Sequence, residues 1–329
     1  MSKPTVTIPN YVSWSAAKIS STRLVLLDLL RVIGIILILI AHIGQATHHP
    51  IGQFFGIKGF YWVSIGGVGV TVFLILSGLA LHLNYRQKDI SYGQFMSGRI
   101  LRIYPTYWLS LIIGILVYLI ASQINESLPG LSSQIGSLVC SITGFCAFAG
   151  QWGGPFVPTA WYIGLIISLY ILYPFISRGI KQKPHVVILV LFSVSTVSRI
   201  ILGHYDILPT RPLDWFPPCR LFEFGLGIYL AEIVKSDMWA CANKNGKVGS
   251  ILGLAGGLTF PLFLVHYPLL RIITGHSWLH ISQGTAIVVF LVASLLVSWF
   301  ILLLTQAVTH IKKSSPKSPI NEQINRDYT

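Results

Sequence analysis

The run Leu24 to Ile43, LVLLDLLRVIGIILILIAHI, has 20 residues, the length an α-helix needs to cross the hydrocarbon core of a bilayer. It nevertheless carries Asp28, Arg31 and His42, and each such group costs up to roughly 3 kcal/mol at the centre of a spanning helix. The helical period gives a reason to keep them. Eleven steps of about 100° leave Arg31 and His42 about 20° apart around the axis and about 16 Å apart along it. They share one face. Asp28, three residues before Arg31, joins that stripe as an ion-pair or hydrogen-bond partner. In the competing reading, Asp28 and Arg31 mark the cytoplasmic end of the helix and His42 the opposite interface.

The composition extends this reading to the whole chain. With 53% hydrophobic residues, 10% charged residues and a mean hydropathy of +0.70, it falls far from soluble domains, in which about a quarter of residues are charged. The expected fold is all-α, a polytopic transmembrane helix bundle of about eight spans with both termini cytoplasmic. The expected spans after the first are Trp62 to Leu83, Ile103 to Ala121, Ala160 to Ser177, His185 to Leu202, Phe216 to Val234, Val248 to Ile273 and Gln283 to Val308. The first run is longer than a signal-peptide core and lacks a small-residue cleavage site, so it is expected to be retained. The domains expected are a cytoplasmic N-terminal tail over 1–23, a membrane domain over 24–308 and a cytoplasmic C-terminal tail over 309–329. Of the cysteines, Cys140 and Cys146 are the one pair placed to form an extracytoplasmic disulfide, which is not expected to form. None has metal-ligand spacing.

The net charge of +13 is spread in short clusters between apolar runs, the positive-inside pattern of a membrane protein and not the basic surface of a nucleic-acid binder. It also arbitrates the segment Leu131 to Ala149, which is moderately apolar and rich in Ser and Gly. If that segment does not span, 18 of the 23 Lys and Arg residues face the cytoplasm. If it does, the split is 12 to 11. Residues 122 to 159 are therefore expected to form an extracytoplasmic loop, with entry of that loop into the membrane left open. Pro105 is expected in the first turn of the third span, where its missing N–H is tolerated.

Three further features bear on chemistry. On a helix, Arg99 and Arg102 would share one face, a geometry suited to a phosphate, with ordinary positive-inside charge as the alternative. His266, in TFPLFLVHYPLL, falls at the depth of His42 and is expected to line a site or to be structural. Arg220 and Glu223 stand three residues apart, as an internal salt bridge would. Gly66, Gly67, Gly69 and the Ser77-Gly78 pair read as close helix packing. His82, His204, His276 and His280 give no usable signal.

These residues resemble acyltransferase family 3, multi-span enzymes that O-acylate cell-surface sugars and other extracytoplasmic acceptors. LDLLRVIGIILILIAH is similar to the family's opening helix, with Arg31 and His42 as its basic residue and histidine. GVTVFLILSG, which holds Ser77, resembles its glycine-rich second helix, and RILRIYPTYW contains an Arg-x-x-Arg motif as Arg99 and Arg102. AWYIGLIISLYILYPFI resembles the Trp-containing helix, here Trp161, Tyr170 and Pro174. LTFPLFLVHYPLL resembles a late helix ending in an aliphatic-x-His, here His266. Two departures stand out: Ile166, Ile167 and Ser168 occupy a stretch where many members carry Glu, and about two spans of the usual ten are missing between FEFGLGIYL and the His266 helix.

The resemblance implies an acetyl-CoA-dependent O-acetyltransferase with no bound cofactor, acetyl-CoA being a co-substrate. The donor would lie near Arg31, Arg99 and Arg102, and His42 would act as general base. Asp28, Ser77, Trp161, Glu223 and His266 would line or support the site, and the partners would be the bilayer and a glycan or other hydroxyl acceptor. The chief rival is a secondary transporter using His42, Arg31 and Glu223 as a relay, but no internal repeat relates residues 24 to 160 to residues 160 to 308. A receptor or assembly subunit would leave the alignment of Arg31 and His42 without a purpose.

Overall fold

The computed structural model describes residues 11–47, 62–88, 90–124, 134–205, 211–233, 247–274 and 282–314. Every regular element among them is helical: α1 (Tyr11–Ala46), α2 (Trp62–Tyr85), α3 (Tyr92–Ile124), α4 (Ile135–Thr143), α5 (Trp161–Gln182), α6 (Pro184–Tyr205), α7 (Pro212–Trp215), α8 (Pro217–Ile233), α9 (Lys247–Thr274) and α10 (Gln283–Ser314). Seven of these are long and apolar enough to cross a membrane. The remaining expected span, Phe216 to Val234, corresponds to α8, whose 17 residues rise about 26 Å.

Two helices begin earlier than hydropathy indicates. α1 is helical from Tyr11, thirteen residues before the expected span. α3 starts at Tyr92 because Ser91 and Gln94 form a capping box: the Ser91 hydroxyl accepts from the Gln94 N–H (3.3 Å), and the Gln94 side-chain oxygen accepts from the Ser91 N–H (3.2 Å). The earlier start puts Arg99 and Arg102 on the helix itself. It also corrects the expectation for Pro105, which lies in the interior of α3, where its ring removes the intrahelical bond to the Leu101 carbonyl.

α5 is the central helix, with Ile163, Leu165 and Leu169 fully buried, while α6 and α10 turn Leu189, Ile200, Leu296 and Phe300 outward. Such faces suit contact with lipid. Because lipid is as apolar as the side chains, the helices associate through close packing. A Cβ on Gly78 of α2 would sit 2.1 Å from the Phe224 carbonyl oxygen of α8, and one on Gly227 would sit 2.0 Å from the Ile75 carbonyl oxygen. The two glycines thus set the crossing of α2 and α8 reciprocally. Gly69 packs in the same way against Gly34 and Ile38 of α1, whereas Gly66 and Gly67 line a cavity.

Residues 134–149 hold no helix of spanning length. α4 is nine residues long, a rise of about 14 Å, and stops at Gly144, whose φ of 77° is the left-handed conformation that ends many helices. Three side chains near the midpoint of α3 bond its last carbonyls: Tyr104 to Thr143 at 2.7 Å, Trp108 to Ile142 at 3.0 Å, and Tyr107 to Ser141. α4 therefore dips to the middle of α3, with Ile135, Val139 and Ile142 exposed along one side. The chain thus folds back along α3. Its turn carries a Cys140–Cys146 disulfide, with Cα atoms 4.8 Å apart. This corrects the expectation that the pair stays reduced: Gly144 reverses the chain and brings the two residues together.

Gly227→Leu should lower the thermal midpoint of detergent-solubilised protein by several degrees, as overpacking costs about 1 to 3 kcal/mol or more. Gly93→Ala, where a Cβ meets nothing within 4 Å, is the control and should leave the midpoint unchanged.

Candidate active site: two chambers meeting at Phe263

The face of α1 that carries Asp28, Arg31 and His42 opens onto two cavities. One, of about 510 Å³, is lined by Asp28, Arg31, Ser77, Arg99, Arg102, Tyr162, Tyr170 and Phe263. The other, of about 390 Å³, is lined by His42, Gln45, Trp152, Trp161, Arg211, Asp214, Arg220, Tyr267 and Phe263. Phe263 is common to both. Its ring stands edge-on to Tyr162 at 5.2 Å and to Phe73 at 6.1 Å, so a cluster of aromatics separates an arginine chamber from a histidine chamber.

In the arginine chamber, Arg31 donates to Asp28 at 2.5 Å. Gly256 of α9 leaves room for this pair, since a Cβ there would lie 2.6 Å from the Asp28 carboxyl carbon. Arg99 donates to the Tyr85 hydroxyl at 2.6 Å and lies over the Tyr85 ring at 4.8 Å. Three guanidinium groups facing one carboxylate leave the chamber with a formal excess of two positive charges, suited to an anion.

In the histidine chamber, the His42 ring lies 5.2 Å from that of His266 and 5.0 Å from that of Tyr267, the latter edge-on. His42 Nδ1 is 3.0 Å from the Gln45 side-chain oxygen. An amide oxygen only accepts, so Nδ1 carries the proton and Nε2 presents a lone pair. His266 is fully buried, and its Nδ1 donates to the Leu262 carbonyl at 3.0 Å. Its Nε2 has no hydrogen-bond partner among the described residues. The expected common depth of the two histidines is therefore direct proximity.

The rim of this chamber is an ion network that the sequence shows only in part. Arg220 bonds Asp214 at 3.0 Å and Glu223 at 3.2 Å, Arg211 bonds Asp214 at 2.8 Å, and Arg199 also pairs with Glu223. Arg220–Glu223 is the expected salt bridge. Glu223 lines neither chamber, which sets it apart from a relay running from Arg31 to His42. Trp152 and Arg211 are the two non-glycine residues with positive φ among the described ones, at 54° and 50°. They touch, with the guanidinium 5.3 Å from the indole centroid. Both line the histidine chamber. Left-handed backbone in bulky residues persists only where the surroundings enforce it, commonly at functional sites.

All the expected residues except Glu223 and His266 line a chamber, and those two adjoin the histidine chamber. Gln45 was within reach of sequence reasoning, being three residues after His42 on the same helix. Trp152, Arg211, Asp214 and Tyr267 carried no spacing signal, because the loops and α9 deliver them from elsewhere. His82, without signal in the sequence, is fully buried and bonds Glu232 at 2.7 Å, 150 residues away.

Residues 24–239 match the family described as an acyltransferase domain, acyltransferase family 3. The chain belongs to that family. It is 26% identical over 236 residues to "Acyltransferase MdmB" of Streptomyces mycarofaciens, covering 64% of this chain and 58% of that protein. It is 25% identical over 241 residues to "O-acetyl transferase" of Shigella phage Sf6, covering 69% and 67%. It is 27% identical over 217 residues to "Regulator of hypoxia-inducible factor 1" of Caenorhabditis elegans, covering 56% and 40%. The matched part thus spans about two fifths to two thirds of these relatives. No solved structure matches. The family match stops before α9, so His266, Tyr267 and Phe263 lie beyond it.

Glu223→Gln should remove the carboxylate that Arg199 and Arg220 share, with Arg220 keeping its bond to Asp214. The expected cost is roughly 3 kcal/mol, the low end for breaking a buried ion pair because Arg199 is partly exposed. The thermal midpoint should fall accordingly, and by more than for Arg199→Gln, which leaves Glu223 paired with Arg220.

Proposed function

We propose that this protein is an integral-membrane O-acyltransferase that moves an acetyl group from cytoplasmic acetyl-CoA to a hydroxyl of an extracytoplasmic acceptor, a cell-surface sugar or glycan. The observation that carries this reading is the pair of chambers meeting at Phe263, one cationic and one built around an oriented histidine. Membership of acyltransferase family 3 and the phage O-acetyl transferase relative support the reaction class.

The assignment follows from the chemistry of each chamber. Arg31, Arg99 and Arg102 bind the donor phosphates by charge-assisted hydrogen bonds. The thin pantetheine arm passes between the helices toward His42, about 16 Å along α1. Trp152 and Trp161, 5.4 Å apart, offer apolar faces to a sugar ring, and Asp214 offers it hydrogen-bond acceptors. His42 Nε2 takes the proton from the acceptor hydroxyl as its oxygen attacks the thioester carbonyl. As the tetrahedral intermediate collapses, the C–S bond breaks and the imidazolium returns the proton to the CoA sulfur. The products are an O-acetyl ester and CoA. Gln45 holds the tautomer that this step requires.

The orientation follows the positive-inside bias, with the arginine chamber toward the cytoplasm. In a cysteine-free variant, a cysteine placed at Lys181 should react only with a reagent admitted to the cytoplasm. Labelling from outside would overturn this orientation.

His42→Ala should reduce acetyl transfer by 10² to 10⁴, the usual effect of losing a general base, in protein that still inserts and purifies normally. The readout is acetylation of surface glycans by mass spectrometry together with release of free CoA from acetyl-CoA. Turnover close to wild type would move the base elsewhere, first to His266. Arg99→Ala and Arg102→Ala should each raise the KM for acetyl-CoA, with Lys restoring it only in part because its point charge cannot bond in a bidentate way. Unchanged donor binding with mixed insertion would reduce these arginines to topology determinants.

A further inference from the structure

A third cavity, of about 490 Å³, lies between the end of α2, the start of α3 and the last turns of α5. Four cations line it, Arg86, Lys88, Arg178 and Lys181, together with Tyr92 and Phe175, and no carboxylate is among the described lining residues. Positive-inside charge accounts for the presence of these cations, but not for their convergence on one cavity with aromatic rings. Two of them are fixed in place: Arg86 donates to the Ala231 carbonyl at 2.9 Å, and Lys181 donates to the Arg86 carbonyl at 2.7 Å. Lys88 sits 5.3 Å from the Tyr85 ring centroid. Tyr92 is 51% exposed and Phe175 is 67% exposed, so their rings are open to a ligand.

The position matters as much as the charge. Tyr85 lines this groove, and its hydroxyl accepts the bond from Arg99, which lines the arginine chamber. One hydrogen-bonded pair separates the two cavities. An acyl-CoA carries two phosphates in its diphosphate and a third on the ribose, and a phosphate monoester alone contributes about −1.5 to −2 charge at neutral pH. The excess of two positive charges in the arginine chamber cannot neutralise all of it.

We propose that the groove formed by Arg86, Lys88, Arg178 and Lys181 is the binding site for the 3′-phosphorylated adenosine end of the donor, the arginine chamber taking the diphosphate and pantetheine. This rests on the acyl-CoA reading given above. The cations neutralise the ribose phosphate, and the exposed rings stack on the adenine. Tyr85 and Arg99 mark the point at which the donor bends from groove to chamber. Donors lacking the nucleotide, such as S-acetyl-4′-phosphopantetheine, would then engage only the chamber.

The test uses purified full-length protein in nanodiscs of zwitterionic lipid, with adenosine 3′,5′-bisphosphate and 4′-phosphopantetheine as probes and calorimetry as readout. Lys88→Ala and Arg178→Ala should each weaken bisphosphate binding at least about fivefold, as expected for loss of one charge-assisted contact, and change phosphopantetheine binding by less than about twofold. Near-neutral Lys88→Arg and Arg178→Lys variants would report that folding is intact. Absence of bisphosphate binding by the wild type, or equal weakening of both probes, would overturn the proposal. It would also fall if the groove variants lost only a co-purifying anionic lipid, seen by native mass spectrometry, while the bisphosphate bound as before. The wild type is assayed in parallel for CoA release from acetyl-CoA: release without bisphosphate binding sinks the groove assignment alone, whereas failure to use any acyl-CoA sinks the donor reading and the groove with it.

Discussion

A bilayer offers no water to an ionisable group, so every charge within a span must be paired or must face a cavity. This constraint organises the molecule. Asp28 and Arg31 meet at 2.5 Å in a space kept clear by Gly256, and both open onto the arginine chamber. Arg199 and Arg220 both pair with Glu223 beside the histidine chamber, and Arg220 also pairs with Asp214. His82 is satisfied by Glu232. The polar groups then form two working surfaces inside an otherwise apolar bundle, one suited to phosphate and one to hydroxyl chemistry.

Close packing holds those surfaces in register. α2 lies between α1 and α8, and the contacts of Gly34 with Gly69, of Gly78 with Phe224 and of Gly227 with Ile75 bring backbone against backbone. Such contacts leave little freedom for sliding, because each carbonyl lies where any larger residue would place its Cβ. α1 supplies both Arg31 and His42, so the distance between the chambers is fixed by the rise of a single helix. The short α4, bonded to the midpoint of α3 through Tyr104, Tyr107 and Trp108, leads into the turn that delivers Trp152. The left-handed backbone of Trp152 and Arg211 is the cost of shaping the rim of the histidine chamber.

Much of this was legible in the chain. Apolar runs of spanning length fixed an all-helical membrane fold, and the 3.6-residue period placed Asp28, Arg31 and His42 on one face and Arg99 beside Arg102. These are local consequences of helix geometry, and they need no knowledge of neighbours. The same local logic, applied to the Ser91–Gln94 capping box, would have started α3 at Tyr92; hydropathy alone hid it because that first stretch is polar.

The tertiary structure decided what lies opposite each face. Nothing in the spacing of residues 42 and 266 gives a 5.2 Å separation of their rings, and nothing in loop composition sends Trp152, Arg211 and Asp214 to the rim over His42. The Cys140–Cys146 bridge depended on Gly144 reversing the chain, and the Phe263 partition on α9 crossing behind α1. Depth within the membrane is encoded along one helix by hydropathy and rise. Which helices are neighbours, and which side chains close a chamber, follows from interlocking shapes contributed by residues tens to hundreds of positions apart, and a one-dimensional pattern carries no measure of that fit.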